Sequence, residues 1–280
     1  MTGLAGNVTP AARGPTAPLL REWERFSPRQ RLARYTVWLA IVAALVWSVR
    51  TIEIIPEFLW DAPEQMADLL VRMWPPDLRY YPDAVHAALI ETIHIATLGT
   101  ILSFVMAVPL ALLASRVITP VAVLNGFAQL MLVASRSVNT LVWALVFVAV
   151  FGPGAMAGVM AVAFRSIGFV GKLLAEALDE TASGPVEALR AAGAPWGAVM
   201  LKGYWPQVQP AFWGIALFRW DINVRESAVL GLVGAGGIGV VLDDALNFFQ
   251  WDRAATVLLA IFAVVIIAEI VVTRIRARLI

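Results

Sequence analysis

The chain alternates long apolar stretches with short segments that are polar or rich in glycine and proline. Most of these stretches approach or exceed the roughly 20 residues that a helix needs to cross the hydrocarbon core of a bilayer. Six stretches are apparent, over residues 35–52, 86–114, 117–151, 155–174, from about 206 onward, and 254–273. This pattern predicts an all-α, polytopic membrane protein with about six transmembrane helices.

The third stretch is long enough to be divided at Arg136, which would give seven spans. Its second part, residues 138–151, would then be too short to cross the bilayer. Seven spans would also place the termini on opposite sides, although both termini are rich in arginine and basic residues favour the cytoplasm. The sequence therefore predicts a single span here, with Arg136 inside the membrane and both termini in the cytoplasm.

Composition excludes several classes of protein. Hydrophobic residues make up 60% of the chain and charged residues 15%, whereas a soluble domain has about 45–50% and about 25%. Because there is no cysteine and there are only two histidines, zinc and iron–sulfur sites are not expected. The formal net charge of +1 gives no sign of a nucleic-acid partner. Most of the 21 lysines and arginines fall on segments predicted to be cytoplasmic, which agrees with the topology.

The pattern divides the chain into three segments. Residues 1–34 form a basic cytoplasmic tail, residues 35–85 a first transmembrane helix with an external amphipathic segment, and residues 86–280 the transmembrane core. The first helix is expected to be an anchor, since its basic lead is too long for a signal peptide and no small-residue cleavage site follows. The amphipathic segment either lies on the membrane surface or packs on neighbouring helices. Its apolar residues at helical spacing are Met66, Leu69, Leu70, Met73 and Trp74.

Polar residues at membrane depth are costly and are therefore candidates for function. At 100° per residue, Arg219, Asn223 and Glu226 share one helix face, whereas Asp221 and Arg225 lie nearly opposite. One of these faces would line a water-filled path and the other would hold an internal ion pair, and the sequence leaves open which is which. The predicted substrate-path residues are Arg136, Asn139, Arg165, Arg219, Asp221, Asn223, Arg225 and Glu226.

The balance of charge within the predicted spans indicates the type of cargo. Arginines outnumber carboxylates there by four to two, and a guanidinium group suits phosphate-like or carboxylate groups. An anion is therefore the expected cargo. The alternative for any one of these arginines is that it caps backbone carbonyls or bridges two helices.

A glycine-rich string, residues 234–239, matches the dinucleotide-binding pattern G-x-G-x-x-G letter for letter. No β-strand, helix and acidic residue at the required spacing surround it, so nucleotide binding is not expected. Glycine also permits close backbone approach or a helix break, which predicts a gate or a tight helix contact at Gly234, Gly236, Gly237 and Gly239. There is no P-loop motif for ATP hydrolysis and no metalloprotease motif, which argues against an enzyme.

Residues 183–204 form the longest internal segment predicted to be cytoplasmic. Pro185 suits the first turn of a helix, Gly193 can end that helix, and Pro195 can begin a second one. We expect a cytoplasmic helical hairpin that docks a soluble partner, the alternative being a hairpin that lies flat on its own helices. Its apolar residues are Val186, Leu189, Trp196, Val199 and Met200.

The hairpin resembles the EAA motif of bacterial ABC-importer permeases. Glu187, Ala188, Gly193 and Pro206 match that motif, which the resemblance identifies as the element that couples the permease to its ATPase. Leu189, Gly203 and Trp205 depart from it, all at apolar positions. The strings that resemble the phosphonate-uptake branch are residues 74–77, 91–92, 136–137 and 221–225, the last of which leads into the glycine string. Methionine-type importers share a similar glycine string.

The resemblance implies a type I importer permease in the bacterial inner membrane, working as a homodimer by alternating access. Two separate ATPase subunits would bind ATP and Mg²⁺, so this chain would hold no cofactor, and an external substrate-binding protein would deliver the cargo. The expected substrate is a phosphonate, with phosphite or hypophosphite as further possibilities. The alternatives are a permease for another small anion or an amino acid, or a passive anion channel, which would need no docking hairpin.

Overall fold

The computed structural model describes residues 28–52 and 56–279, and within these ranges it contains helices and no β-strand. The prediction of an all-α fold is confirmed. The predicted basic tail, apart from its last residues, lies outside the described ranges. The α-helices are α1 (Pro28–Thr51), α2 (Pro56–Arg72), α3 (His86–Ala114), α4 (Ala122–Ser137), α5 (Thr140–Phe151), α6 (Ala155–Asp179), α7 (Ser183–Ala191), α8 (Trp196–Val199), α9 (Trp205–Leu230), α10 (Ile238–Asn247) and α11 (Trp251–Leu279).

The chain forms two units, one up to Pro63 and the other from Glu64 onward. In the first unit, residues Arg29–Thr51 of α1 are long and apolar enough to cross a membrane. Helix α2 continues into the second unit, and it covers most of the predicted amphipathic segment. Its position on the membrane surface stays a prediction.

Three helical segments of the second unit are long and apolar enough to span a membrane: Tyr81–Ala114, Ala155–Asp179 and Trp251–Arg278. Two further spans arise if each of two bent helix pairs crosses once. One pair is α4 with α5, bent by 91°, and the other joins the helix that contains α9 to α10, bent by 43°. Together with α1, this makes up to six spans in the described part of the chain, which agrees with the number predicted.

The apolar stretch predicted as one span is interrupted between α4 and α5. Val138 and Asn139 have extended backbone conformations, and the Asn139 side chain accepts a hydrogen bond of 2.9 Å from the backbone N–H of Leu141. Asparagine is a favoured N-cap residue, so Asn139 starts α5, whereas the extended Val138 ends α4. Arg136 consequently lies in the last turn of α4.

Helices α3, α6 and α9 pack together at the centre of the second unit. Glycine allows α6 to approach its neighbours closely, as is usual between membrane helices. A Cβ atom at Gly168 would collide with the backbone oxygen of Leu132 on α4, and one at Gly158 would collide with that of Ala235. Core positions on these helices are also filled by small residues, including Ala96, Ala107, Ala157 and Ala161.

The hairpin has the boundaries that its prolines and glycine predict. Helix α7 has Pro185 in its first turn, and Pro195 precedes α8. Gly193 has φ +75°, a left-handed conformation that glycine adopts readily, and its N–H donates to the Arg190 carbonyl at 3.0 Å. A π-helical turn, Met200–Tyr204, joins α8 to α9. An apolar cluster anchors the hairpin on the ends of α6 and α9, through Leu178, Val186, Val199, Tyr204 and Val208.

Candidate functional site

A polar network connects α9 with α5 and α6 in the interior. The Arg219 side chain, of which only 3% is exposed, donates from Nε to Ser166 Oγ at 2.9 Å and from Nη2 to Glu226 Oε2 at 3.2 Å. The same Glu226 oxygen accepts a hydrogen bond of 2.7 Å from Thr140 Oγ1, at the first residue of α5. Two helices therefore meet at one carboxylate oxygen that also neutralises a buried arginine.

Asn223 extends this network to α3. Its Nδ2 donates to Thr100 Oγ1 at 2.8 Å, and its Oδ1 lies 3.2 Å from Ser166 Oγ. Asn223 is fully buried, and a buried amide requires such partners because its desolvation is otherwise uncompensated. These hydrogen bonds thus hold α3, α6 and α9 together around Asn223 and Ser166.

The second polar face of α9 also holds an ion pair. Arg225 Nη2 contacts Asp221 Oδ2, one turn earlier on the same helix. The Arg225 side chain is 49% exposed and that of Asp221 is 10% exposed, while Asp221 Oδ1 is buried with no hydrogen-bond partner among the described residues. Each face of α9 therefore contains one ion pair, and the two pairs differ in burial.

Arg165 lies at the interruption between α4 and α5. Its Nη1 donates to the backbone oxygen of Arg136 at 3.0 Å, near the end of α4 where carbonyls lack helical partners. Its Nε is buried without a hydrogen-bond partner in the described part of the chain. Trp143 Nε1 also donates to the Ser135 carbonyl, at 3.3 Å. Side chains of α5 and α6 thus donate hydrogen bonds to two backbone carbonyl groups near the end of α4.

The Arg136 side chain lines a different region. It borders a cleft of about 280 Å³, together with the basic residues Arg116 and Lys172 and the acidic residues Glu176 and Asp179. The eight predicted path residues are therefore not gathered in one place. Arg219, Asn223 and Glu226 share the interior network, Arg225 and Asp221 form the second pair, and the others lie around the α4–α5 interruption.

Three members of the network were not predicted from the sequence, namely Thr100, Thr140 and Ser166. Small hydroxyl residues in apolar helices commonly bond to their own helix backbone, so their presence alone gives a weak signal. Ser166 follows Arg165 directly, and that proximity to a charge at membrane depth is the feature that could have drawn attention to it.

The glycine string is enclosed by other backbone segments. Gly234, Gly236 and Gly237 all have φ between +76° and +80°. A Cβ atom at Gly236 would lie 2.7 Å from both the Ala155 nitrogen and Glu91 Oε1, and the Gly154 N–H donates to the Gly234 carbonyl at 2.8 Å. The string thus packs against the start of α6 and against α3. Its role as a gate remains a prediction.

Of the residues that match the EAA motif, two are exposed on the hairpin surface and two lie at a turn or at the start of a helix. Glu187 and Ala188 are exposed on α7, where another protein can reach them. Gly193 forms the turn between the helices, and Pro206 lies in the first turn of α9. Trp196 is 65% exposed, so an aromatic side chain is also accessible on the hairpin surface.

No cluster of three or more metal-ligating side chains occurs among the residues that the structure describes.

Membrane-spanning helices, charges buried within them and an exposed helical hairpin define a multi-pass membrane transport subunit. The chain belongs to the family of binding-protein-dependent transport system inner membrane components, whose family model matches residues 99–280.

Two relatives agree with this family, and a solved structure shares the fold. A phosphite transport system permease protein of Stutzerimonas stutzeri is 36% identical over 240 residues, which cover 86% of each chain. A phosphate-import permease protein of Mycolicibacterium smegmatis is 37% identical over 83% of this chain, which spans only 44% of that relative. The fold matches that of a chain in the inward-facing MetNI methionine ABC transporter, with a TM-score of 0.60, 21% identity, and 70% of this chain and 96% of that chain covered.

These findings confirm that the chain is a permease subunit of an ABC importer and not an enzyme with its own ATPase site. It is a multi-pass membrane protein. Membership of this family implies ATPase and substrate-binding partners, so these two predicted partners are confirmed, while the pairing of two copies of this chain stays a prediction.

Proposed function

We propose that two copies of this chain enclose a path for a small phosphorus oxyanion, namely a phosphonate, phosphite or hypophosphite. The observation that carries the proposal is the exposure of Arg225, 49% of whose side chain is accessible on a membrane-spanning helix. A guanidinium group facing lipid would be costly. The exposure of Arg225 is therefore best explained if this face of α9 turns towards a second copy of the chain or towards an aqueous path between the two copies.

The charge of the site supports an anionic cargo. Helices α4, α6 and α9 carry Arg136, Arg165, Arg219 and Arg225, against the carboxylates of Asp221 and Glu226. Guanidinium groups bind phosphorus oxyanions through paired, charge-assisted hydrogen bonds. Two relatives are named for import of phosphate and phosphite, which are both phosphorus oxyanions.

The mechanism that fits these features is alternating access. Both termini and the hairpin would lie on the cytoplasmic side, and the glycine string near an external gate. ATP and Mg²⁺ would bind to two separate ATPase subunits, whose closure the hairpin, through Glu187 and Ala188, would transmit to the helices. ATP binding must favour one conformation by about 5.5 kcal/mol to shift the equilibrium from 1:99 to 99:1.

Reconstituted transport tests this proposal. The complete transporter in liposomes should import isotope-labelled phosphite or methylphosphonate only with ATP and the cognate binding protein present. Arg225→Gln should lower uptake about tenfold or more, as expected for one lost charge-assisted hydrogen bond. Arg274→Gln, the same change at an exposed position near the end of α11, should leave uptake unchanged.

Three results would contradict it. Normal uptake by Arg225→Gln would remove this face of α9 from the path, and uptake without ATP would indicate a channel. Uptake of methionine in place of the phosphorus oxyanions would assign the chain to the other substrate class.

A further inference from the structure

We infer that the Glu226 carboxylate occupies the position of the transported anion, and that a tetrahedral oxyanion entering beside Arg219 displaces it. This inference rests on the proposed function, because it requires an anion to reach the network. It goes further by identifying a binding position, the protein group that competes for it and a hydrogen bond between two helices that binding would replace.

The contacts of Glu226 are those that a phosphorus oxyanion would make. Its Oε2 accepts from Arg219 Nη2 at 3.2 Å and from Thr140 Oγ1 at 2.7 Å. Guanidinium and hydroxyl donors of this kind bind phosphonate oxygens equally well. The Glu226 side chain is 25% exposed, whereas that of Arg219 is 3% exposed. The carboxylate can therefore move towards solvent while the arginine stays in place.

Arg165 is a second arginine with an unused donor, and it lies on α6 next to the network. It directly precedes Ser166, whose Oγ accepts from Arg219 Nε at 2.9 Å. Arg165 Nη1 is held by the Arg136 carbonyl, but its buried Nε has no hydrogen-bond partner among the described residues. Only Arg219 pairs with the Glu226 carboxylate among the described residues, so Arg165 adds a positive charge and an unsatisfied donor on the neighbouring part of α6.

Geometry favours a tetrahedral anion over a carboxylate at this position. Phosphite and phosphonates carry three oxygens on one phosphorus atom, whereas the Glu226 carboxylate has two and uses only Oε2 for Arg219 and Thr140. The third oxygen gives the phosphorus oxyanion a further acceptor position for a donor such as Arg165 Nε. A phosphorus oxyanion can also carry a second negative charge, which matches the excess positive charge of the pair.

Displacement of Glu226 would change how the helices are connected. Thr140 is the first residue of α5, after the 91° bend, and its hydrogen bond to Glu226 links α5 to α9. An oxyanion that takes the place of the carboxylate breaks this direct link, and α5 is then joined to α9 only through the cargo, between Thr140 and Arg219. The connection between these helices would therefore depend on whether cargo is bound, which is a differential interaction of the kind that ligand-driven conformational change requires.

Two substitutions on the complete transporter in nanodiscs test this inference, with phosphite and methylphosphonate as probes. Glu226→Gln keeps the shape of the side chain but binds Arg219 more weakly, and Thr140→Val removes the link without altering charge. Each should raise ATP hydrolysis in the absence of substrate by about fivefold. Glu226→Gln should also lower the substrate concentration that gives half-maximal stimulation. Glu269→Gln, at an exposed position on α11, is the matched control and should change neither quantity.

The outcomes separate this inference from the proposed function. If neither variant raises basal hydrolysis, or if Glu226→Gln leaves half-maximal stimulation unchanged, the inference is wrong while transport of phosphorus oxyanions stands. If Arg165→Gln and Arg225→Gln both transport at the wild-type rate, the proposed path itself is wrong. If Glu226→Gln does not assemble, Thr140→Val decides the question, since it leaves the Arg219 ion pair intact.

Discussion

The network around Arg219 and the hairpin of residues 183–204 are stabilised by opposite kinds of contact. In the network, charged and amide groups are buried and depend on partners from other helices. In the hairpin, a small apolar cluster holds the backbone, and the charged residues, such as Glu187, face outward. Loss of one group in the network leaves another buried without a partner, whereas an outward-facing group of the hairpin can be replaced at little cost in stability. The two regions therefore allow effects on folding to be separated from effects on coupling.

The largest loss of stability is expected for Arg219→Ala. Removing one member of a buried ion pair costs about 3–5 kcal/mol, because the remaining charge is left uncompensated. Thermal unfolding of the purified permease measures this loss. Arg225→Ala is the comparison, and a smaller loss is expected because the Arg225 side chain is already 49% exposed, although Asp221, at 10% exposure, also loses its partner. Equal destabilisation by both variants would contradict the distinction between the two faces of α9.

Gly168→Ala tests the close packing of α6 against α4. The new Cβ atom would collide with the Leu132 carbonyl and would lie 3.0 Å from the Arg136 nitrogen, so the helices must separate at a cost of about 1–3 kcal/mol. Gly126→Ala, on α4, meets no atom within 4 Å and should be neutral or slightly stabilising. The midpoint of thermal unfolding distinguishes the two, and a stable Gly168→Ala protein would show that the interface is more tolerant than the structure indicates.

Gly193→Ala should have a smaller effect, confined to the hairpin. Its φ of +75° costs an L-residue about 1–2 kcal/mol, and the strained turn should weaken binding of the ATPase subunits. Gly197→Ala, on α8, has no positive φ and no atom within 4 Å of the added carbon, so it serves as the control. Co-purification with the ATPase is the measurement, and equal binding by both variants would argue against a role for this turn.

The smallest change in stability is expected for Glu187→Lys. Because the side chain is exposed, the unfolding midpoint should not move, yet the ATPase should no longer co-purify and uptake should cease. Glu180→Lys makes the same reversal of charge at an exposed position just before the hairpin and should leave both intact. Loss of stability without loss of ATPase binding would reverse the roles assigned to the two regions.

Features that depend on local sequence were predictable. The apolar stretch at residues 86–114 gave the bounds of α3, and Pro185, Gly193 and Pro195 gave the form of the hairpin. Helical periodicity also placed Arg219, Asn223 and Glu226 on one face of their helix, and the structure brings all three into one network.

Features that depend on long-range contacts were not predictable. The interruption at residues 138–139 contains neither proline nor glycine, so the apolar pattern continues through it, and only the Asn139 cap marks the start of α5. Ser166 lies 53 residues from its partner Arg219 in the sequence, and Thr140 lies 86 residues from Glu226. No spacing rule within one helix relates such residues, because their proximity arises from the packing of separate helices.

Helix α9 connects the two regions as one continuous helix, and this continuity affects how a movement could pass between them. Its 26 residues correspond to a length of about 39 Å at 1.5 Å per residue. One end continues from the hairpin through the π-helical turn, and the glutamate of the network lies near the other end. If α9 tilts as a rigid body, the displacement of each residue grows in proportion to its distance from the pivot. Under the proposed mechanism, the helix would therefore carry a movement of the hairpin to the proposed anion-binding position as a sideways displacement.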